Sequence, residues 1–130
     1  MQYESLKDKI EKQAREAQYV EFERLWNAAV AAGTAAGAAE VPTPMHIPGY
    51  RPVVDGLCGF AWVVLVDGRC SLARWLVRHK KARKEYGGGV CMYWVFEYNQ
   101  SHARKCAFAR AFASVWREAG FDVYATDRLD

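Results

Sequence analysis

The sequence predicts a mixed α/β (or α+β) fold: a long N-terminal helix, then a compact β-α-β-α-β core with a small three-stranded sheet. Two observations predict the core. Residues 58–66 and 90–98 are mostly apolar, rich in β-branched and aromatic residues, and short. They alternate with segments 71–81 and 101–119, where apolar residues recur at helical spacing. A third observation separates the core from what precedes it. All four prolines fall between positions 42 and 52. Proline removes backbone donors and disfavours helix at the residue before it. The chain therefore divides into an N-terminal amphipathic helix over 1–40, a proline-rich linker over 41–52 and an α/β domain over 53–130.

Residues 3–32 carry an apolar stripe, Leu6, Ile10, Ala14 and Ala17, continued by Tyr19, Phe22, Trp26, Ala29 and Val30. Glu11 and Arg15, four apart, support its surface. The stripe is thin at its start, so the first turns are expected to project. Gly33 and Gly37 weaken the alanine-rich continuation but lie on one face, where close packing inside the domain is expected. The helix and the proline arm are expected to be peripheral to the α/β core.

The first core strand, 58–66, runs into Asp67, Arg69 and Ser71, with Ser71 as the expected N-cap of the next helix. That helix presents Leu72, Trp75, Leu76 and His79 on one face and ends in a basic cluster: Arg78, Lys80, Lys81, Arg83 and Lys84. Cations complement a helix C-terminus, but five exceed what capping needs. The Tyr86–Gly89 run then breaks the chain, and its glycines allow close approach. The second strand, 90–98, is apolar on both faces and is expected to be central and covered on both sides. Ser101 is the expected N-cap of the last helix. Ala103, Ala107, Ala111 and Ser114 give that helix a small-residue stripe flanked by Phe108, Phe112 and Val115. Gly120 ends it, and residues 121–125 form a half-exposed last strand.

The net charge is +3. It permits an anionic partner without demanding one. The cysteines, at 58, 70, 91 and 106, show no CxxC spacing. They are read as free thiols in a reducing, cytoplasmic compartment, with Cys58 and Cys91 buried and inert. The first fifteen residues are charged, and the longest apolar run is too short to cross a bilayer. No membrane partner is expected.

Several segments are similar to blocks in small uncharacterised proteins of tailed bacteriophages. They are residues 58–63 (CGFAWV), 86–90 (YGGGV), Gln100-Ser101 with Arg104-Lys105, and Arg128-Leu129-Asp130. The alanine-rich helix before Pro42-Thr43-Pro44 fits as well, so the resemblance spans nearly the whole chain. One departure is His102-Ala103, where an acidic residue is expected ahead of Arg104. The resemblance implies a phage or prophage origin and a host-cell cytoplasmic location; the family carries no established activity, so the resemblance supplies no catalytic residues.

Helical crossovers make parallel neighbouring strands the default. Their exits would then converge on one edge, a favoured ligand crevice. Ser101, Arg104 and Lys105, with Arg69 and Arg128 as helpers, are the candidate anion site there, because cations in a first helical turn oppose the dipole unless an anion lies between. The competing expectation is internal pairing with Asp127 or Asp130. An enzyme would need Cys70 and His102 to meet, and an enzyme is disfavoured. The histidines, 46, 79 and 102, show no metal-ligand spacing with the cysteines. No metal and no cofactor are expected. The favoured function is a phage-type accessory protein that binds and modulates a host (defence) protein, as a monomer or as a homodimer through the N-terminal helix. The alternatives are a nucleic-acid or nucleotide/anion binder, using the 78–84 cluster, and a small enzyme at the strand-exit loops.

Overall fold

The computed structural model describes residues 5–85 and 88–130. Helix α1 spans Leu6–Ala39, strand β1 Gly59–Leu65, helix α2 Ser71–Arg78, strand β2 Arg83–Lys84 and strand β3 Val90–Trp94. Helix α3 spans His102–Glu118 and strand β4 Val123–Leu129. Tyr86 and Gly87, part of the glycine-rich break, lie outside the described residues.

The mixed α/β class is as expected, but the sheet has four strands, in the order β2-β3-β1-β4. Every neighbouring pair is antiparallel, so the parallel default fails. The reason is the short strand β2, which lies inside the basic cluster expected to end helix α2. Lys80 has a φ of 57°, which stops the helix early and turns the chain into β2. Strand β3 pairs antiparallel with β2 and lies between β1 and β2. The strands joined by helices, β1 with β2 and β3 with β4, do run parallel, as crossovers require. Each such pair has another strand inserted between its members. This is the split β-α-β arrangement of β-α-β-β-α-β chains.

All three helices lie on one face of the sheet. Ala61, Val63 and Leu65 of β1 point into a single hydrophobic cluster with Val90, Met92 and Val123. Leu72, Trp75 and Leu76 of α2 and Phe108, Phe112 and Trp116 of α3 complete it from the helix side. Phe22, Leu25 and Ala29 of α1 belong to the same cluster. The peripheral reading of α1 is therefore corrected. Its C-terminal half is core, because Phe22 packs on Trp75 and Phe121, at ring-centroid distances of 5.7 and 6.0 Å. Only residues 5–18 are exposed throughout, about 21 Å of projecting helix. A capping box between Ser5 and Asp8 starts it.

The two glycines of α1 accept aromatic rings. A Cβ on Gly33 would sit 2.9 Å from the Phe108 ring, and one on Gly37 would sit 2.5 Å from the Tyr98 ring. The Tyr98 hydroxyl donates to the Thr34 carbonyl at 3.3 Å. Close packing is what keeps these positions small, and it carries the helix on to Ala39.

Some local expectations need correcting. Ser71 is the first residue of α2, and Cys70 holds the cap position with no side-chain bond to the helix among the described residues; its thiol donates back to the Asp67 carbonyl at 3.3 Å. Ser101 does cap α3, accepting from the Arg104 N–H at 3.4 Å. Gly120, with φ of 97°, follows the C-cap Ala119. Cys58 is exposed, because it precedes the strand; Cys91 is buried. The last strand runs to Leu129, so the expected tail is sheet.

Candidate nucleic-acid interface

Among the described residues, the other face of the sheet carries no helix. In β1, Phe60, Trp62 and Val64 alternate with the core-facing Ala61, Val63 and Leu65, as strand geometry requires. Their partners share that face: Arg128, Thr126 and Tyr124 on β4, Trp94 and Cys91 on β3, and Arg83 on β2. The second strand is thus central in order but covered on one side only, against the expectation of double coverage.

Aromatic rings dominate the middle of this face. Trp62 and Trp94 lie directly opposite each other and stack, with centroids 5.1 Å apart and planes 18° apart. Phe60 touches Trp94 at 5.6 Å. The Arg128 guanidinium lies 5.3 Å from the Phe60 centroid, within cation–π range. Tyr124 is about half exposed. A groove of about 440 Å³ runs along Trp62, Val64, Tyr124 and Thr126 to Glu85 and Gly89. A second, of about 210 Å³, is bordered by Lys80, Lys81 and Arg83 and reaches Cys91 and Trp94.

The basic cluster therefore adjoins the aromatic face. Arg78, Lys80, Arg83 and Lys84 are exposed, while Lys81 is half-buried, its ammonium 4.8 Å from the Trp26 centroid. The register positions of the open face hold two arginines and no carboxylate, with Glu85 at the rim. Burial, chiefly, pushes the Cys91 thiol above its ordinary pKa, and Glu85 adds to this.

The expected anion site is only partly assembled. Ser101, Arg104, Lys105 and Arg128 gather at the end of the sheet where β1 begins and β4 ends. Arg69 does not join them. Antiparallel pairing places it past the opposite end of β1, about 20 Å away by strand length. Lys105 is buried and donates to the Gly59 carbonyl at 3.3 Å. The Ser101 hydroxyl, also buried, donates to the Asp55 carbonyl at 3.3 Å. Arg104 Nε is buried with no hydrogen-bond partner among the described residues. Asp127, the expected internal partner of these cations, pairs with His102 at 2.7 Å.

Cys70 and His102, the pair an enzyme would need to bring together, lie at opposite ends of β1. His102 instead meets Cys106, one helical turn on, at 3.3 Å. The expectation that no histidine has ligand spacing to a cysteine is thus wrong: an i, i+4 pair on one helix face is such a spacing. That signal stood in the sequence, as did the Phe60-x-Trp62 alternation that builds the aromatic face.

Among the described residues, no helix is long and apolar enough to cross a membrane. Comparison of the chain with protein-family models, curated proteins and solved structures gave no match.

Proposed function

We propose that this chain binds single-stranded nucleic acid across the open face of its sheet. The carrying observation is the stacked Trp62–Trp94 pair on adjacent central strands, flanked by Arg83 and Arg128. Bases stack on aromatic side chains with little regard to sequence, at about 1–3 kcal/mol per base. Four-stranded sheets with aromatics on their two central strands are one established way to hold two or three bases. Lys80 and Arg83 would follow the backbone away from Trp94, and Arg128 away from Phe60. Duplexes do not suit this face, because their bases are already stacked.

The phage-type accessory role implied by the sequence resemblance is compatible with this activity. The reading favoured from sequence, docking on a host protein, competes with it for the same surface, since half-buried tryptophans such as Trp62 and Trp94 anchor protein interfaces as well. The charges favour the nucleic acid: the open face has arginines at both ends and no carboxylate in register. Titration of the chain with short single-stranded RNA and DNA, followed by tryptophan fluorescence at several salt concentrations, separates the two. Engagement of three cations predicts a slope of log K against log salt near about −2. Affinity should then fall about twentyfold between 50 and 200 mM salt, from the same relation. Absence of quenching at low salt by either oligonucleotide would remove the nucleic-acid reading and leave the protein partner.

A further inference from the structure

We propose that His102, Cys106 and Asp127 form a divalent transition-metal site, best suited to Zn²⁺. The cluster lies on the helix side of the sheet, apart from the aromatic face. His102 Nε2 is 2.7 Å from Asp127 Oδ2 and 3.3 Å from Cys106 Sγ. All three ligand atoms fall within 4.8 Å of one another.

The arrangement is built. His102 and Cys106 are four residues apart on one face of α3. Asp127 is opposite Ala61 in the register, on the helix-facing side of β4. The His102 ring rests against Gly59, where a Cβ would lie 2.6 Å from it. Only glycine leaves room for the ring at that place. Cys106 is buried, His102 partly buried, and Asp127 exposed at the outer edge.

Hydrogen bonding uses only one of the two contacts: Asp127 can take the Nε2–H at 2.7 Å, and the Cys106 sulfur is then left at 3.3 Å. The carboxylate and the sulfur converge on the same ring nitrogen. One Nε2–H cannot point at both, and a catalytic triad would place the acid and the nucleophile on opposite nitrogens. A metal ion replaces that single proton and takes all three donors at once. In a tetrahedral zinc site, bonds of about 2.0–2.3 Å set the ligand atoms about 3.3–3.6 Å apart. The sulfur–nitrogen distance is already near this value, the His102–Asp127 pair has to open by less than about 1 Å, and the Cys106–Asp127 pair, within 4.8 Å, has to close by up to about 1.3 Å, which a turn of the exposed Asp127 side chain allows. A mixed sulfur, nitrogen and oxygen set disfavours Mg²⁺ and Ca²⁺, which take oxygen ligands. The fourth position faces solvent on the Asp127 side, where water would complete the coordination.

Only the thiolate binds a metal, so metal binding releases the Cys106 proton to solvent as the metal–thiolate bond forms.

The test uses the full, reduced chain and Co²⁺ as a spectroscopic probe. One Co²⁺ should bind per chain with a thiolate-to-cobalt charge-transfer band, release protons, and be displaced by Zn²⁺. Cys106→Ser should remove the band, while Cys58→Ser and Cys70→Ser retain it. Asp127→Asn, at an exposed position, should keep the fold and weaken binding by at least about tenfold, since even outer-shell partners are worth that much. This second variant covers the case in which Cys106→Ser does not fold. Absence of the band in the parent chain, its persistence in Cys106→Ser, or unchanged affinity in Asp127→Asn would overturn the proposal. None of these outcomes bears on oligonucleotide binding at the other face.

Discussion

Replacing Trp94 by alanine separates the binding role of the open face from its structural role. Trp94 stacks on Trp62 at 5.1 Å and touches Phe60 at 5.6 Å. It stands outside the cluster that joins the sheet to the helices. The fold should therefore lose two aromatic contacts, about 0.5–1.5 kcal/mol each, and remain cooperative. Binding should lose one stacked base, about 1–3 kcal/mol. At 1.4 kcal/mol per decade, this is about a 5- to 150-fold weaker Kd. The assay is oligonucleotide titration by anisotropy, with thermal melts of the same samples. Trp26→Phe is the matched control, because Trp26 packs edge-on against Phe112 at 5.4 Å on the helix side. Trp26→Phe should bind as the parent does. A folded Trp94→Ala chain with affinity within twofold of the parent would refute the stacking argument.

Four further outcomes are expected. Gly37→Ala should destabilise by about 1–3 kcal/mol despite alanine's higher helix propensity, because its methyl meets the Tyr98 ring; a chemical melt measures this. Removing residues 1–16 should leave cooperative unfolding intact, whereas a chain beginning at Val53 should lose it, since Phe22, Leu25 and Ala29 are core; calorimetry distinguishes the two. Lys81→Ala should cost about 0.5–1 kcal/mol through its contact with Trp26, while Lys80→Ala costs less than that. Stability should also fall at alkaline pH. Burial holds the Cys91 and Cys106 thiols and the Tyr93 phenol above their ordinary ranges. A raised folded-state pKa stabilises fully below the unfolded value and loses that contribution as pH rises through the folded one. The decline should thus begin near about pH 8.5, the ordinary thiol value, and a pH series of melts checks it.

The elements that a periodic pattern specifies were legible. Strands β1 and β3 and helices α1 and α3 follow from apolar spacing, and Ser101 and Gly120 mark the ends of α3 by cap chemistry. What was not legible depended on tertiary pairing. Strand β2 is two residues, Arg83 and Lys84, with no apolar signal, and its ladder to β3 alone identifies it. Without β2 the sheet reads as parallel, which groups Arg69 with Ser101, although strand β1 separates them. Helix α1 looked peripheral because composition changes sharply near residue 40. The aromatics after Tyr19 reveal burial only once Trp75 and Phe121 are placed against them. For the candidate surface, the residues were visible and the face was not. Phe60-x-Trp62 and Trp94 lie in runs so apolar that both sides read as covered. Only the sheet order, with every helix on one side, leaves Trp62 and Trp94 open.

The most direct measurement is a two-dimensional amide and indole NMR titration with a short single-stranded oligonucleotide. The account predicts that the indole signals of Trp62 and Trp94 shift first, with the Arg83 and Arg128 amides, while those of Trp26, Trp75 and Trp116 on the helix side stay fixed. Shifts confined to the exposed turns of α1, or no shifts at low salt, would contradict it.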